Sequence, residues 1–154
     1  MKKKPSEVAQ RGRELLNDRN VEAFLSVLVE AAYLIAAADG VVSETERQTL
    51  AETISAIVGG DLPPEELLAM LVAFADALNT DGLDQRLEVM AEALADVEAR
   101  ETAVSFASLV ALCDREFDAR ERVMLLKIGA AFGFDEARVG VLLEHVASGL
   151  RGER

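Results

Sequence analysis

The stretch Ala37-Ala38-Asp39-Gly40-Val41-Val42-Ser43-Glu44-Thr45-Glu46 decides how the chain is read. An apolar, helix-periodic run ends at Asp39-Gly40. Ser43 then opens a new amphipathic run, with Glu46 three residues later. Serine before a helix, with glutamate at its third position, is the spacing of a capping box, in which the two side chains satisfy each other's backbone N–H. Glycine at the end of the first run supplies the left-handed conformation that terminates helices. The stretch is therefore a corner between two helices.

Residues 112–121 repeat the pattern. They read Leu112-Cys113-Asp114-Arg115-Glu116-Phe117-Asp118-Ala119-Arg120-Glu121, at a constant offset of 75 residues. Asp114 matches Asp39, Phe117 matches Val42, Asp118 matches the cap Ser43, and Glu121 matches Glu46. Val42 and Phe117 precede the caps, where hydrophobic staples sit. Two related helical hairpins with a pair of linking helices between them account for the chain.

The flanking sequence agrees. Val21, Phe24, Leu25, Leu28 and Ile35 fall on one face of a helix before the first corner, and Leu50, Ile54 and Ile57 follow it. Gly59-Gly60 stops that helix, and Pro63-Pro64 starts the next, because the first helical turn needs no intrahelical N–H partner. Leu67, Leu71, Phe74 and Leu78 follow, then a break at Asn79-Thr80-Asp81-Gly82. Leu87, Met90, Leu94 and Val97 read as one stripe, and Ala103, Phe106, Val110 and Cys113 as another. No glycine or proline marks a break near residues 98–102. After Asp118 come Leu125, Ile128 and Phe132, a turn at Gly133-Phe134-Asp135, and Val139, Leu142, Val146 and Leu150. No segment alternates with a period of two. The expectation is an all-α fold, a single compact bundle of seven or eight helices built from two pseudo-repeated helical hairpins.

Composition supports this. In 154 residues there are 25 Ala, 21 Leu and 3 Pro, with 51% apolar and 5% aromatic residues. Alanine and leucine favour helix, and a chain of this length buries a core without disulfides. Residues 1–19 carry six basic and three acidic residues, and the remainder carries 10 basic and 25 acidic. The expected domains are a basic, flexible segment over 1–19 and a helical domain over 20–150. The acidic domain repels nucleic acid and anionic lipid. Lys2-Lys3-Lys4 is followed by polar residues, unlike a signal peptide, and the longest apolar run, Phe24 to Ala38, contains Glu30 and is shorter than a membrane span. A cytoplasmic protein with no direct membrane insertion is expected.

Inventory excludes much chemistry. There is one His, His145, and one Cys, Cys113, so no His-based triad and no His/Cys zinc site is available. No phosphate loop or cofactor fingerprint occurs, so no enzyme is expected. His145 reads as a surface or packing residue, and Cys113 as a small core residue. The candidates are carboxylates. Capping explains every position of the repeat except the acid at the end of the first helix, Asp39 and Asp114, where the helix dipole disfavours negative charge by about 0.3–1 kcal/mol. Either a nearby cation or a strong turn hydrogen bond must compensate. If the hairpins pack about a pseudo-twofold axis, Asp39, Glu46, Asp114 and Glu121 converge. Four clustered carboxylates repel unless they are protonated or bound to a divalent ion, and all-oxygen ligation suits Ca²⁺, Mg²⁺ or Mn²⁺. An EF-hand does not fit, because its first ligand position would be Ile35 or Ala77.

The pattern small-Ala-Asp-Gly-x-apolar-Ser-x-x-Glu resembles the TerB tellurite-resistance family, related to the N-terminal domain of the membrane co-chaperone DjlA. The second copy, with Leu125-Leu126-x-Ile128-Gly-x-x-Phe-Gly133-Phe134 after it, is similar to the same family, so the resemblance covers roughly residues 20–150. It implies a compact, non-enzymatic helical module associated with tellurite and chemical-stress resistance, phage resistance and protein complexes near the bacterial inner membrane. It also implies metal-binding loop acids, which on this chain are Asp39, Glu46, Asp114 and Glu121. Arg115 and Cys113 depart from the family's usual Gly and Ala, and a guanidinium beside Asp114 is an alternative to a metal. No His-Pro-Asp tripeptide occurs, so a J-domain is absent. The alternative reading is an acidic protein-interaction scaffold with no metal, its loop acids serving only as caps. Oligomeric state is not legible in the sequence.

Overall fold

A computed structural model describes residues 21–59, 62–114 and 117–152. Its described residues form seven α-helices: α1 (Val21–Ala36), α2 (Glu44–Ile57), α3 (Pro64–Asp81), α4 (Leu83–Ala93), α5 (Val97–Asp114), α6 (Ala119–Ala131) and α7 (Glu136–Leu150). A 3-10 turn, Ala37–Asp39, follows α1. The all-α bundle expected from the repeat is what the chain adopts. The basic segment over 1–19 and Arg115 lie outside the described residues.

Two helices make the centre. Every residue from Val27 to Ile35 in α1 is buried, as are Phe106 through Ala111 in α5. These helices pack on each other, which is why α1 is buried on all sides over residues 27–35 rather than along one stripe. The other helices surround this pair. α3 packs on α1 and α2, while α7 packs on α5 and α6. α2 touches α5, just as α6 touches α1. Exchanging α1, α2 and α3 for α5, α6 and α7 preserves these pairings, so the duplication extends to three helices per unit. Of the two helices expected to link the hairpins, α3 belongs to the first unit and α4 alone is the linker.

Two boundaries and the burial of one residue differ from the sequence reading. α3 runs through Asn79, Thr80 and Asp81, and the break is Gly82 alone. Its φ of 85° lets its N–H donate to the Leu78 carbonyl at 3.0 Å while α4 starts immediately after it. Leu87, Met90 and Leu94 do not continue to Val97. The chain breaks at 94–96, and Val97 is 59% exposed. Asp96 makes this boundary, its Oδ1 accepting from the Glu98 N–H at 3.3 Å, the role of a cap. Arg100 closes the preceding helix from outside. Its Nη2 donates to the Ala91 carbonyl at 2.7 Å, its Nε donates to the Leu94 carbonyl, and its Nη1 donates to the Phe132 carbonyl at 3.1 Å. One guanidinium thus satisfies carbonyls at the ends of α4 and α6, where positive charge complements the dipole. Cys113 is exposed, not a core residue, because the last turn of α5 carries it past the edge of the packed face.

Helices α6 and α7 approach closely at one point. A Cβ on the buried Gly129 would lie 2.3 Å from Val139 Cγ2, so only hydrogen fits there.

Candidate functional site

Both corners are built as capping boxes. Ser43 Oγ accepts from the Glu46 N–H at 3.1 Å, and Glu46 Oε1 accepts from the Ser43 N–H at 2.9 Å. In the second copy Asp118 Oδ1 accepts from the Glu121 N–H at 2.9 Å, and Glu121 Oε1 accepts from the Asp118 N–H at 3.0 Å. The two boxes differ in burial. Glu46 is exposed, whereas Glu121 is 4% exposed, so the second copy holds a carboxylate inside the fold.

Val42 is buried in the core, and Phe117 packs against it half-buried. They do not complete apolar staples. The positions that would pair with them hold Arg47 and Arg122, and Arg47 Nη1 instead donates to the Val42 carbonyl at 2.9 Å. Its Nε is buried without a hydrogen-bond partner. The Arg47 charge also reaches Tyr33, the only tyrosine of the chain. Burial pushes the Tyr33 hydroxyl pKa above its ordinary value; Arg47 opposes this, and Asp76 adds to it.

The first corner meets the start of α6. The 3-10 turn packs on α1 and on α6. Arg120, in the first turn of α6, directs Nη1 to the Asp39 carbonyl at 3.4 Å, across 81 residues of sequence. Asp39 is exposed beside this contact. A protein guanidinium thus stands at the carbonyl end of the terminated helix, where the dipole favours it. Gly40, φ 129°, turns the chain away from this point. Asp114 is the last residue of α5, and its side chain lies outside the described residues. Among the described residues no group of three or more His, Cys, Asp or Glu is placed to hold a metal ion. The structure therefore brings the first corner onto the start of α6, with Glu46 and Glu121 each held in its own capping box.

Two charged groups important to the fold gave no local signal. Glu30, 2% exposed in the middle of α1, is bound by Arg86 of α4. Arg100 is the other, described above. His145 is half-buried on α7.

These features define a class: an all-α bundle made from a duplicated three-helix unit, with the first corner packed on the start of α6. The chain belongs to the TerB family, whose model, described as tellurite resistance protein TerB, matches residues 22–142. That match spans both corners and runs from α1 into the first half of α7. It makes the chain a tellurite-resistance-associated domain. Comparison with curated proteins gave no match, nor did comparison with solved structures. No helix among the described residues is long and apolar enough to cross a membrane.

Proposed function

We propose that the chain is a non-catalytic stress-resistance module that binds a divalent cation, or a protein partner, through its two acidic corners. The duplicated corner carries this reading, because Asp39, Ser43 and Glu46 recur as Asp114, Asp118 and Glu121 at one constant offset. Asp39, Glu46, Asp114 and Glu121 are the proposed ligand set, and oxygen donors of this kind suit Ca²⁺, Mg²⁺ or Mn²⁺. In this reading the module works in the cytoplasm and reaches the inner membrane only through its protein partner. Binding of cations is tested by calorimetric titration of Ca²⁺, Mg²⁺, Mn²⁺ and Zn²⁺ into wild type and an Asp39→Ala/Asp114→Ala variant. Heat in the wild type that the variant loses is the expected result. Heat-free titrations of both discard the metal.

One observation favours the second reading, an interaction scaffold without metal. Both capping boxes are complete, and Arg120 already places positive charge at the first corner. In that case Ser43→Ala and Glu46→Ala each lower stability by about 0.5–2 kcal/mol, and no cation changes the melting temperature.

A further inference from the structure

A second surface, independent of the corners, lies between α4 and α6. A groove of about 630 Å³ opens broadly to solvent between them. Leu87 and Ala91 of α4 and Ala130 and Ala131 of α6 form its apolar floor. Asp84, Glu88 and Glu92 stand along the α4 lip, and Lys127 stands on the α6 side.

The three acids are exposed and spaced four residues apart, so they form one row along the helix. Like charges at this spacing repel and weaken the helix that carries them. No ion pair within the described residues relieves Asp84, Glu88 or Glu92. Arg100, at the inner edge, is committed to the carbonyls of Ala91, Leu94 and Phe132. Asp84 suits the first turn of α4, where the dipole favours an acid, but Glu88 and Glu92 are a charge arrangement that folding alone does not use.

The floor sets the shape of what fits. Alanines at 91, 130 and 131 let a partner backbone come close, and Leu87 gives it an apolar contact. A small molecule would leave too much of itself in water in so open a groove. Nucleic acid and anionic lipid are repelled by the acidic lip. We infer that the groove between α4 and α6 docks an amphipathic helix of a partner protein, with small apolar residues on one face and Lys or Arg at four-residue spacing along its flank. Its apolar face lies on Leu87 and the alanines, and its basic row pairs with Asp84, Glu88 and Glu92, the helix-in-groove mode of recognition.

The probe is a synthetic helical peptide with Ala and Leu on one face and Lys every fourth residue, titrated into the full chain while backbone amide signals are followed. Shifts confined to residues 84–92 and 127–131 are expected. The affinity should drop about tenfold or more in Glu88→Lys/Glu92→Lys, with slower association. Ala130→Met fills the groove without changing charge. Because Ala130 is exposed, that variant keeps the wild-type amide pattern elsewhere and also loses the peptide. Shifts scattered over other acidic surfaces, unchanged affinity in both variants, or equal binding of a peptide with Glu in place of Lys overturn the assignment. If Glu88→Lys in the free chain moves the amide signals of residues 2–16, the chain's own basic segment occupies the groove, and the partner assignment fails.

Discussion

The Glu30 carboxylate and the Arg86 guanidinium form a two-point ion pair joining α1 to α4. Nε meets Oε2 and Nη2 meets Oε1, both at 2.8 Å. Asp81 joins from the end of α3, its Oδ2 accepting from Arg86 Nη1 at 3.3 Å. Bonding to Glu30 is the main cause of the raised Arg86 pKa, with burial opposing it. The linker helix is thereby fixed to the centre of the bundle by a buried acid of α1. Such a pair costs desolvation to bury, so its net worth is small, but breaking it leaves a charge without a partner.

Arg86→Met is therefore expected to lower stability by about 3–5 kcal/mol. Adding Glu30→Leu should recover most of that loss, because the buried charge is then gone. Urea denaturation of both single variants and the double variant gives the coupling. Additive losses would show that the pair does not act as a unit.

Two glycines should respond to alanine in opposite directions. Gly129→Ala places a Cβ against Val139 Cγ2, and overpacking of this kind costs about 1–3 kcal/mol, more than the helix propensity gained. Val139→Ala should restore much of the loss. Gly140 lies in α7 with no atom within 4 Å of an added Cβ, so Gly140→Ala should stabilise by up to about 1 kcal/mol. Thermal melts of the three variants test the close approach of α6 and α7.

These contrasts show what the sequence made legible. Capping boxes span four residues, and Ser43, Glu46, Asp118 and Glu121 took the positions their spacing implied. The stops at Gly40, Gly82 and Gly133 were equally local. Glu30–Arg86, Arg100 with three distant carbonyls, and Gly129 against Val139 depend on helices far apart in sequence. Nothing at positions 30, 86 or 129 alone announces a partner. The break before Val97 was missed because its stop comes from Arg100 rather than from glycine or proline; Asp96, two residues before Glu98, was the available cue. The candidate acids were legible as a repeat, because capping positions are set by local spacing. Arg120 at the junction was not foreseen.

Tyr33 makes stability depend on alkaline pH. Its pKa is raised in the folded protein, so the unfolded chain loses the proton first. The contribution is complete below the ordinary tyrosine value of about 10 and declines as pH rises through and above it. Urea denaturation between about pH 9 and about pH 11 should show a steeper loss for wild type than for Tyr33→Phe. As the only tyrosine, Tyr33 also reports itself by tyrosinate absorbance, which should develop above the ordinary pKa in the native state. Parallel stability curves for the two proteins would contradict the assignment.

The second capping box should matter more than the first. Asp118→Ala removes a cap worth about 0.5–2 kcal/mol and also takes away the N–H orientation that holds Glu121, which is 4% exposed. Ser43→Ala removes a cap beside an exposed Glu46. Chemical denaturation should therefore place Asp118→Ala below Ser43→Ala. The reverse order would mean that burial of Glu121 adds nothing.

Paramagnetic broadening by Mn²⁺ tests most directly whether the two corners act as one surface. Amide signals of residues 39–46 and 114–121 should fade together over the same Mn²⁺ range, and Asp39→Ala should weaken the effect at both. Broadening at one corner only, or none at either, would contradict the account.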